Sequence, residues 1–456
     1  MATQANAATS FQFKDSMPKE VLRSFASRAI THQGFCVVGT EPDPIFEEDL
    51  RMICNMGAKY IGRAAMYSWS GNMSAEAIDT HYRIAKERAD AVHAVDPEII
   101  LQAGIFEIAY EKTVNNTAIP AYVLETFGQP IEERNFCYEK VVFPAGTKNR
   151  DGNDNGIGCW GNDASGVPDI TQLETKMYFY YSITRYIDAG YEAFHMGQAE
   201  KMLLNRGNDY AYHWDEVLTP ARAYAKEHAR RGIALFDCHD AIDSPGLMVG
   251  DRLLFDIQGA GMCPDETVFE DSAQKCRIVH YDDCWLSWIG RSGGGKHPLG
   301  FDIEENFTII EFDNYGQNGN PGVPTHQNFW NWGYDDVTWF ALQPEWYRNQ
   351  FLLECDAYLS NTEKILDSEG KQQYFLQPVC RRCVVEYPKM QYTPSADCDM
   401  DGVMRYLEKE ETEIADNGDG SYTLTIKKDY RSNTQSDICP NGGNQEATIR
   451  KIFLGK

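Results

Sequence analysis

Apolar residues along this 456-residue chain fall into two alternating kinds of stretch. Short runs rich in β-branched and aromatic residues read as buried strands. They are Gly34–Gly39, Tyr60–Met66, Ile100–Ile108, Tyr191–Gly197, Ile233–His239, Leu253–Gln258, Phe307–Asn314 and Tyr374–Val379. Between them lie stretches with helical spacing. Asp43-Pro44 supplies a cap and a first-turn proline for a stripe of Phe46, Leu50, Ile53 and Cys54, which Gly57 ends. Further helices are predicted over Ala75–His93, over Thr171–Ala189 with Gly190 as stop, from Thr219-Pro220 to Gly232, and over Pro344–Leu359. Residues 1–31 are a polar lead with one amphipathic piece, Lys19–Ile30.

Eight short apolar strands separated by helices predict an α/β fold of the (β/α)8 TIM-barrel class. An open doubly wound sheet is the competitor, but no Gly-x-Gly-x-x-Gly turn follows the first strand. The barrel is expected over 32–400, with irregular insertions at 112–168 and 259–306. Beyond it, 401–456 reads as a small β-rich appendage: a hairpin over Thr412–Lys427, turning at Asn417-Gly-Asp-Gly420, and a last strand over Glu446–Leu454.

Composition narrows the partners. A formal net charge of −26 argues against nucleic acid and anionic membrane, which repel an acidic surface. No run of about 18 apolar residues is present, so no membrane span is expected. The amino terminus lacks a basic start and an apolar segment, which predicts a cytoplasmic protein unless a secretion leader has been removed. The 13 cysteines are scattered, several within apolar runs, and suit reduced thiols. Aromatic content of 12%, including 25 Tyr and 9 Trp, suits flat ligands such as sugars.

Chemistry in a barrel sits at the C-terminal strand ends. Those ends carry Arg63, Glu107, His195 with Gln198 and Glu200, Asp237 with His239 and Asp240, Asp256 with Gln258, and Glu311 with Asp313. Glu311 closes an otherwise apolar strand, where an uncompensated carboxylate costs several kcal/mol. The segment after it, Tyr315–Asp336, is rich in Gly and Asn and carries Trp330 and Trp332, which predicts a substrate-facing loop.

Strand seven, ending Ile309-Ile-Glu-Phe-Asp-Asn-Tyr315, resembles the nucleophile strand of retaining TIM-barrel glycoside hydrolases. Those families carry an acid/base Glu after strand four and often an Arg near the end of strand two. Glu200 in His195-Met-Gly-Gln-Ala-Glu200 and Arg63 in Ile61-Gly-Arg63 hold comparable places. The usual Asn-Glu pair is absent, and strand eight lacks the Trp of many members, so no single family is indicated. The resemblance covers about 32–383 and implies a glycosidase acting on a carbohydrate. Glu311 would be nucleophile and Glu200 acid/base, with Asp237 or Asp256 as substitutes for the acid. Arg63, Glu107, His195, Asp237, His239, Asp256, Asp313, Trp330 and Trp332 would bind substrate. No cofactor or catalytic metal is needed.

Two other readings stand beside it. His195, Asp237, His239, Asp256 and Glu311 offer ligands for a metal-dependent sugar isomerase or hydrolase. A non-catalytic carbohydrate-binding barrel would keep its ligand after loss of every carboxylate. Asp151, Asn153 and Asn155 have the spacing of half a calcium loop, a candidate structural Ca²⁺ site whose twelfth position is Asn162 rather than Glu.

Overall fold

The computed structural model describes residues 10–161, 163–239, 246–261, 264–265, 277–278, 293–311, 340–341, 345–361, 366–382, 390–392, 412–420, 422–426 and 430–455. Its centre is a ring of parallel strands: β1 Ala29–His32, β2 Tyr60–Met66, β3 Ile100–Gly104, β4 Ala193–His195, β5 Leu235–Cys238, β6 Ile257–Gly261, β7 Thr308–Glu311, and β8 in two halves, Tyr374–Leu376 and Val379–Arg382. The first half of β8 pairs with β7 and the second with β1, so the sheet closes on itself. The join is Gln377-Pro378. The Pro378 carbonyl accepts from Thr31 N at 2.9 Å, and proline has no N–H to lose from the ladder.

Side-chain alternation builds the interior in two layers. Ala29, Tyr60, Ile100, Ala193, Leu235, Ile257, Ile309 and Phe375, one from each strand, pack into one apolar cluster. Leu22, Phe25 and Ala26 of helix α1 (Lys19–Ala26) join the same cluster and close the barrel floor. Two residues further along each strand stand Thr31, Gly62, Gln102, His195, Asp237, Gly259, Glu311 and Gln377. That layer is polar or glycine throughout, and it supplies the site. The intervening residues, among them Ile61, Leu101, Phe194, Phe236 and Ile310, face the helices in a second core.

Helices α2 Phe46–Met56, α3 Ala75–Val95, α4 Leu173–Asp188, α5 Tyr212–His228, α6 Glu345–Asn361 and α7 Glu446–Leu454 follow the chain. Ser74 caps α3 by accepting from Ala77 N at 3.1 Å, and Gly57 ends α2 at φ +76°. The hairpin forms from Thr412–Asp416 and Tyr422–Ile426, with Met390–Tyr392 as a third strand.

Four sequence expectations are corrected. The first barrel strand is Ala29–His32, not Gly34–Gly39; Val37–Val38 of the latter pairs beside the far end of β2. β6 begins at Ile257, and Arg252–Leu253 belongs to a side hairpin with Met248–Val249. Pro220 lies inside α5 rather than at its start. Glu446–Leu454 is a helix, because Ile449 and Phe453 sit one turn apart and both bury. It packs between α2 and α6: Glu446 takes Arg51 Nη1 at 2.8 Å and Asn55 Nδ2 at 2.6 Å, and Thr448 Oγ1 donates to Asn349 Oδ1 at 2.8 Å.

The preceding segment is tied down by charge. Tyr430–Arg431 runs antiparallel to the second half of β8. Arg431 reaches both Asp43 and Asp49, and Arg381 reaches Asp43 at 2.8 Å. His32 Nε2 lies 2.9 Å from Asp49. Burial alone would raise the Asp49 carboxyl, but His32, Arg431 and Asn433 together hold it well below the usual carboxylate range.

Candidate active site

Glu311 sits at the C-terminal end of β7 and is 3% exposed. Arg63 Nη2 donates to its Oε1 at 2.6 Å, and the Thr31 hydroxyl donates to Oε2. Burying a carboxylate alone costs several kcal/mol, so the adjacent guanidinium compensates it. Arg63 is placed by a bulge in β2, where the register with β3 slips between Ile61 and Ala65. Its φ is +55°, the left-handed region that L residues occupy at a cost of roughly 1–2 kcal/mol. Its backbone N–H is held by Gln102 Oε1 at 2.8 Å. The bulge turns a charged side chain into the barrel at one position while β2 stays buried along its whole length.

A second carboxylate faces this pair. Asp237 Oδ2 bonds His195 Nδ1 at 2.7 Å, and its Oδ1 accepts from Gln102 Nε2. That amide also donates to Tyr60 OH at 2.9 Å. The carboxyl of Asp237 is pushed up to about 7, first by burial and then by the negative charge of Glu311; His239, Arg63 and Gln102 oppose the rise. His239 joins the two halves. Its Nε2 lies 3.3 Å from Glu311 Oε1 and 3.4 Å from Arg63 Nη2, and its ring meets the His195 ring edge to face at 4.5 Å. Gly259 makes room for it, since a Cβ there would meet His239 Cδ2 at 2.5 Å.

The structure therefore brings together Arg63, His195, Asp237, His239 and Glu311. Thr31 and Gln102 belong to the same network and were not singled out from sequence. Their signal was a polar residue two positions after a buried apolar one on a strand, the pattern of an inward face.

Beside the network lies a second group. Glu107 accepts from Gln198 N and from Gln198 Nε2, each at 3.1 Å. Glu200 is 7% exposed and its Oε2 accepts from Gly207 N at 3.3 Å. Its carbonyl takes the N–H groups of Leu203 and Asn205, both at 2.9 Å. Leu204 and Asn205 are consecutive left-handed residues at φ +57° and +56°. Strain of this kind is retained where surrounding contacts over-determine it, and here it wraps the turn around Glu200.

Asp256 is corrected. It precedes β6 and turns outward, accepting from Arg222 Nη2 of α5 and from Phe236 N, each at 2.8 Å. It is therefore neither an acid in the barrel mouth nor a ligand beside Asp237. Asp313, Trp330, Trp332, Asp240 and the segment Tyr315–Asp336 lie outside the described residues. In the calcium-like loop, Asp151 is exposed and takes Arg150 and Asn205, while the buried Asn155 donates to Lys201 O at 2.9 Å. Among the described residues, one trio of His, Cys, Asp or Glu has ligand atoms within 4.8 Å of one another: His32, Asp43 and Asp49. Arg381 and Arg431 already neutralise those carboxylates. At the candidate site, the Arg63 guanidinium lies against both His239 and Glu311, where it would repel a cation.

No protein-family model matches the sequence, and comparison with curated proteins finds no match. Several solved structures are similar at a distance. The debranching enzyme of Nostoc punctiforme is 13% identical, with a TM-score of 0.29, over 52% of this chain and 53% of that one. The chain thus spans about half the length of that enzyme. An alpha-amylase from Lactobacillus plantarum is 12% identical over 89% and 86% of the two chains, with a TM-score of 0.34. The type III pullulan hydrolase of Thermococcus kodakarensis is 10% identical over 97% and 68%, with a TM-score of 0.36.

Proposed function

We propose that this chain is a glycoside hydrolase of the two-carboxylate, retaining type, with Glu311 as nucleophile and Glu200 as acid/base. The observation that carries the reading is Glu311 itself: a buried carboxylate closing a barrel strand, held by a guanidinium aimed from a strained bulge and by the Thr31 hydroxyl. A hydrogen-bonded, charge-compensated carboxylate of fixed direction suits attack on an anomeric carbon. In the first step a Glu311 oxygen bonds that carbon while Glu200 gives its proton to the departing glycosidic oxygen. In the second, Glu200 takes a proton from water, whose oxygen displaces Glu311 from the sugar. Retention needs the two carboxyl groups about 5–5.5 Å apart.

A second assignment of the acid is favoured by one observation. Asp237 is the carboxyl whose environment lets it hold a proton near pH 7, and it is bonded to His195. A carboxyl whose proton affinity is raised by burial suits the role of the acid. A panel of aryl glycosides, each with an activated and a poor leaving group, separates the two. Loss of the acid lowers turnover of the poor leaving group far more than that of the activated one. Glu200→Gln is expected to show this selectivity; if Asp237→Asn shows it and Glu200→Gln does not, the acid is Asp237. Product of inverted anomeric configuration would overturn the retaining mechanism.

A further inference from the structure

The described residues carry an aromatic array that runs from solvent to the buried network. Trp69 follows β2 and is 41% exposed. Its ring meets Trp160 edge to face at 5.2 Å and Phe106 at 6.4 Å. Phe106 follows β3 and touches the inner network directly, with the His195 ring at 5.3 Å and the Arg63 guanidinium at 5.8 Å. On the other side, Lys201 Nζ stands over Trp160 at 4.5 Å, and Lys201 is the residue after Glu200. Four segments of chain, the ends of β2, β3 and β4 and the long insertion, therefore converge on one rim.

An exposed indole is costly in water unless something covers it, and single exposed aromatics are ordinary. This one is different because two further rings pack against it while 41% of its surface stays exposed. A rigid, flat, amphipathic surface, with an ammonium group over the neighbouring Trp160 ring, fits a ring that is apolar on its face and hydroxylated at its rim. That is the chemistry of a pyranose. From this geometry we infer that Trp69, backed by Trp160 and Phe106, forms a subsite for a sugar unit flanking the one whose bond is broken, with Lys201 at its polar edge. The inference rests on the glycosidase reading and specifies that the substrate is an oligosaccharide or a disaccharide glycoside rather than a single sugar. The flanking position follows from contact order: Trp69 reaches the Arg63–Glu311 pair through Phe106 rather than by touching it.

The test uses the full chain and matched 4-nitrophenyl glycosides, one series carrying a single hexose and the other the corresponding α- or β-linked disaccharide. The quantity read is the ratio of kcat/KM between the two members of the pair that the unaltered chain cleaves. Trp69→Ala is expected to lower that ratio about tenfold, chiefly through KM, and Trp69→Tyr to keep most of it. Trp346→Ala, at an exposed indole on α6, serves as control and should leave the ratio unchanged. Should the alanine variant fold poorly, Trp69→Leu keeps apolar bulk without a ring and is expected to lose the ratio as well. An unmoved ratio in the Ala and Leu variants overturns the subsite. The underlying function fails by a different result: Glu311→Gln cleaving both members at the normal rate, or an unaltered chain that cleaves neither member of any pair.

Discussion

Replacing Arg63 by methionine removes the charge that compensates Glu311 and keeps most of the side-chain volume. Both partners are buried, at 4% and 5% side-chain exposure and 2.6 Å apart. Breaking such a pair strands a carboxylate in the barrel and costs about 3–5 kcal/mol. The Thr31 hydroxyl remains and softens the loss, so the lower end of that range is expected. Unfolding entropy of about 2.1 cal/mol/K per residue gives a chain of this length roughly 1 kcal/mol per degree. Tm should then fall by about 3 °C at pH 8, read by calorimetry. The deficit should shrink as pH falls, because protonation removes the stranded charge. Adding Glu311→Gln to Arg63→Met should recover most of the loss, because the neutral amide needs no counter-charge. An unchanged Tm in the single variant, or a double variant no more stable than it, would refute the claim that the pair holds the site together.

Asp237 gives a pH dependence of definite sign. Its folded-state proton affinity is raised to about 7 by burial and Glu311, so the folded chain keeps a proton that the unfolded chain has released. Stability from this group is full below about pH 4 and falls as pH rises to about 7, by up to roughly 1.4 kcal/mol per unit. Asp237→Asn should flatten that part of the stability curve; an unaltered slope in denaturant titrations would contradict the placement. Asp256→Ala should cost about 1–3 kcal/mol through its lost bonds to Arg222 and Phe236 N while leaving kcat near normal. A large fall in kcat without loss of stability would put Asp256 back in the barrel mouth.

The barrel was legible because its strands are apolar runs separated by stretches of helical spacing. The site was legible at Glu311, where a carboxylate interrupts a buried run. Arg63 was legible by position, but its conformation was not, since nothing in Ile61-Gly-Arg63 announces a bulge. Thr31 is hard to read from sequence because Ala29–His32 is four residues long and half polar, whereas Gly34–Gly39 carries the apolar run expected of a strand. Taking Gly34–Gly39 as the first strand hides the second donor to Glu311. Asp256 differs from its sequence expectation by one register shift: Leu253–Gln258 is as apolar as β6, yet pairing starts at Ile257. With a period of two, such a slip exchanges inward for outward. The helix at Glu446–Leu454 was readable in principle from Ile449 and Phe453 and from Gly455 beyond them, but β-branched Thr448 and Ile449 outweighed that spacing.

The central claim is that Glu311 attacks the sugar. Its most direct test is turnover of a cleaved aryl glycoside by Glu311→Ala, which removes the nucleophile and leaves space for a small anion, measured with and without added azide while circular dichroism confirms the fold. The account expects kcat to fall by at least about a thousandfold and azide to restore turnover, giving a glycosyl azide of inverted configuration. Near-normal kcat in the variant without azide would contradict it.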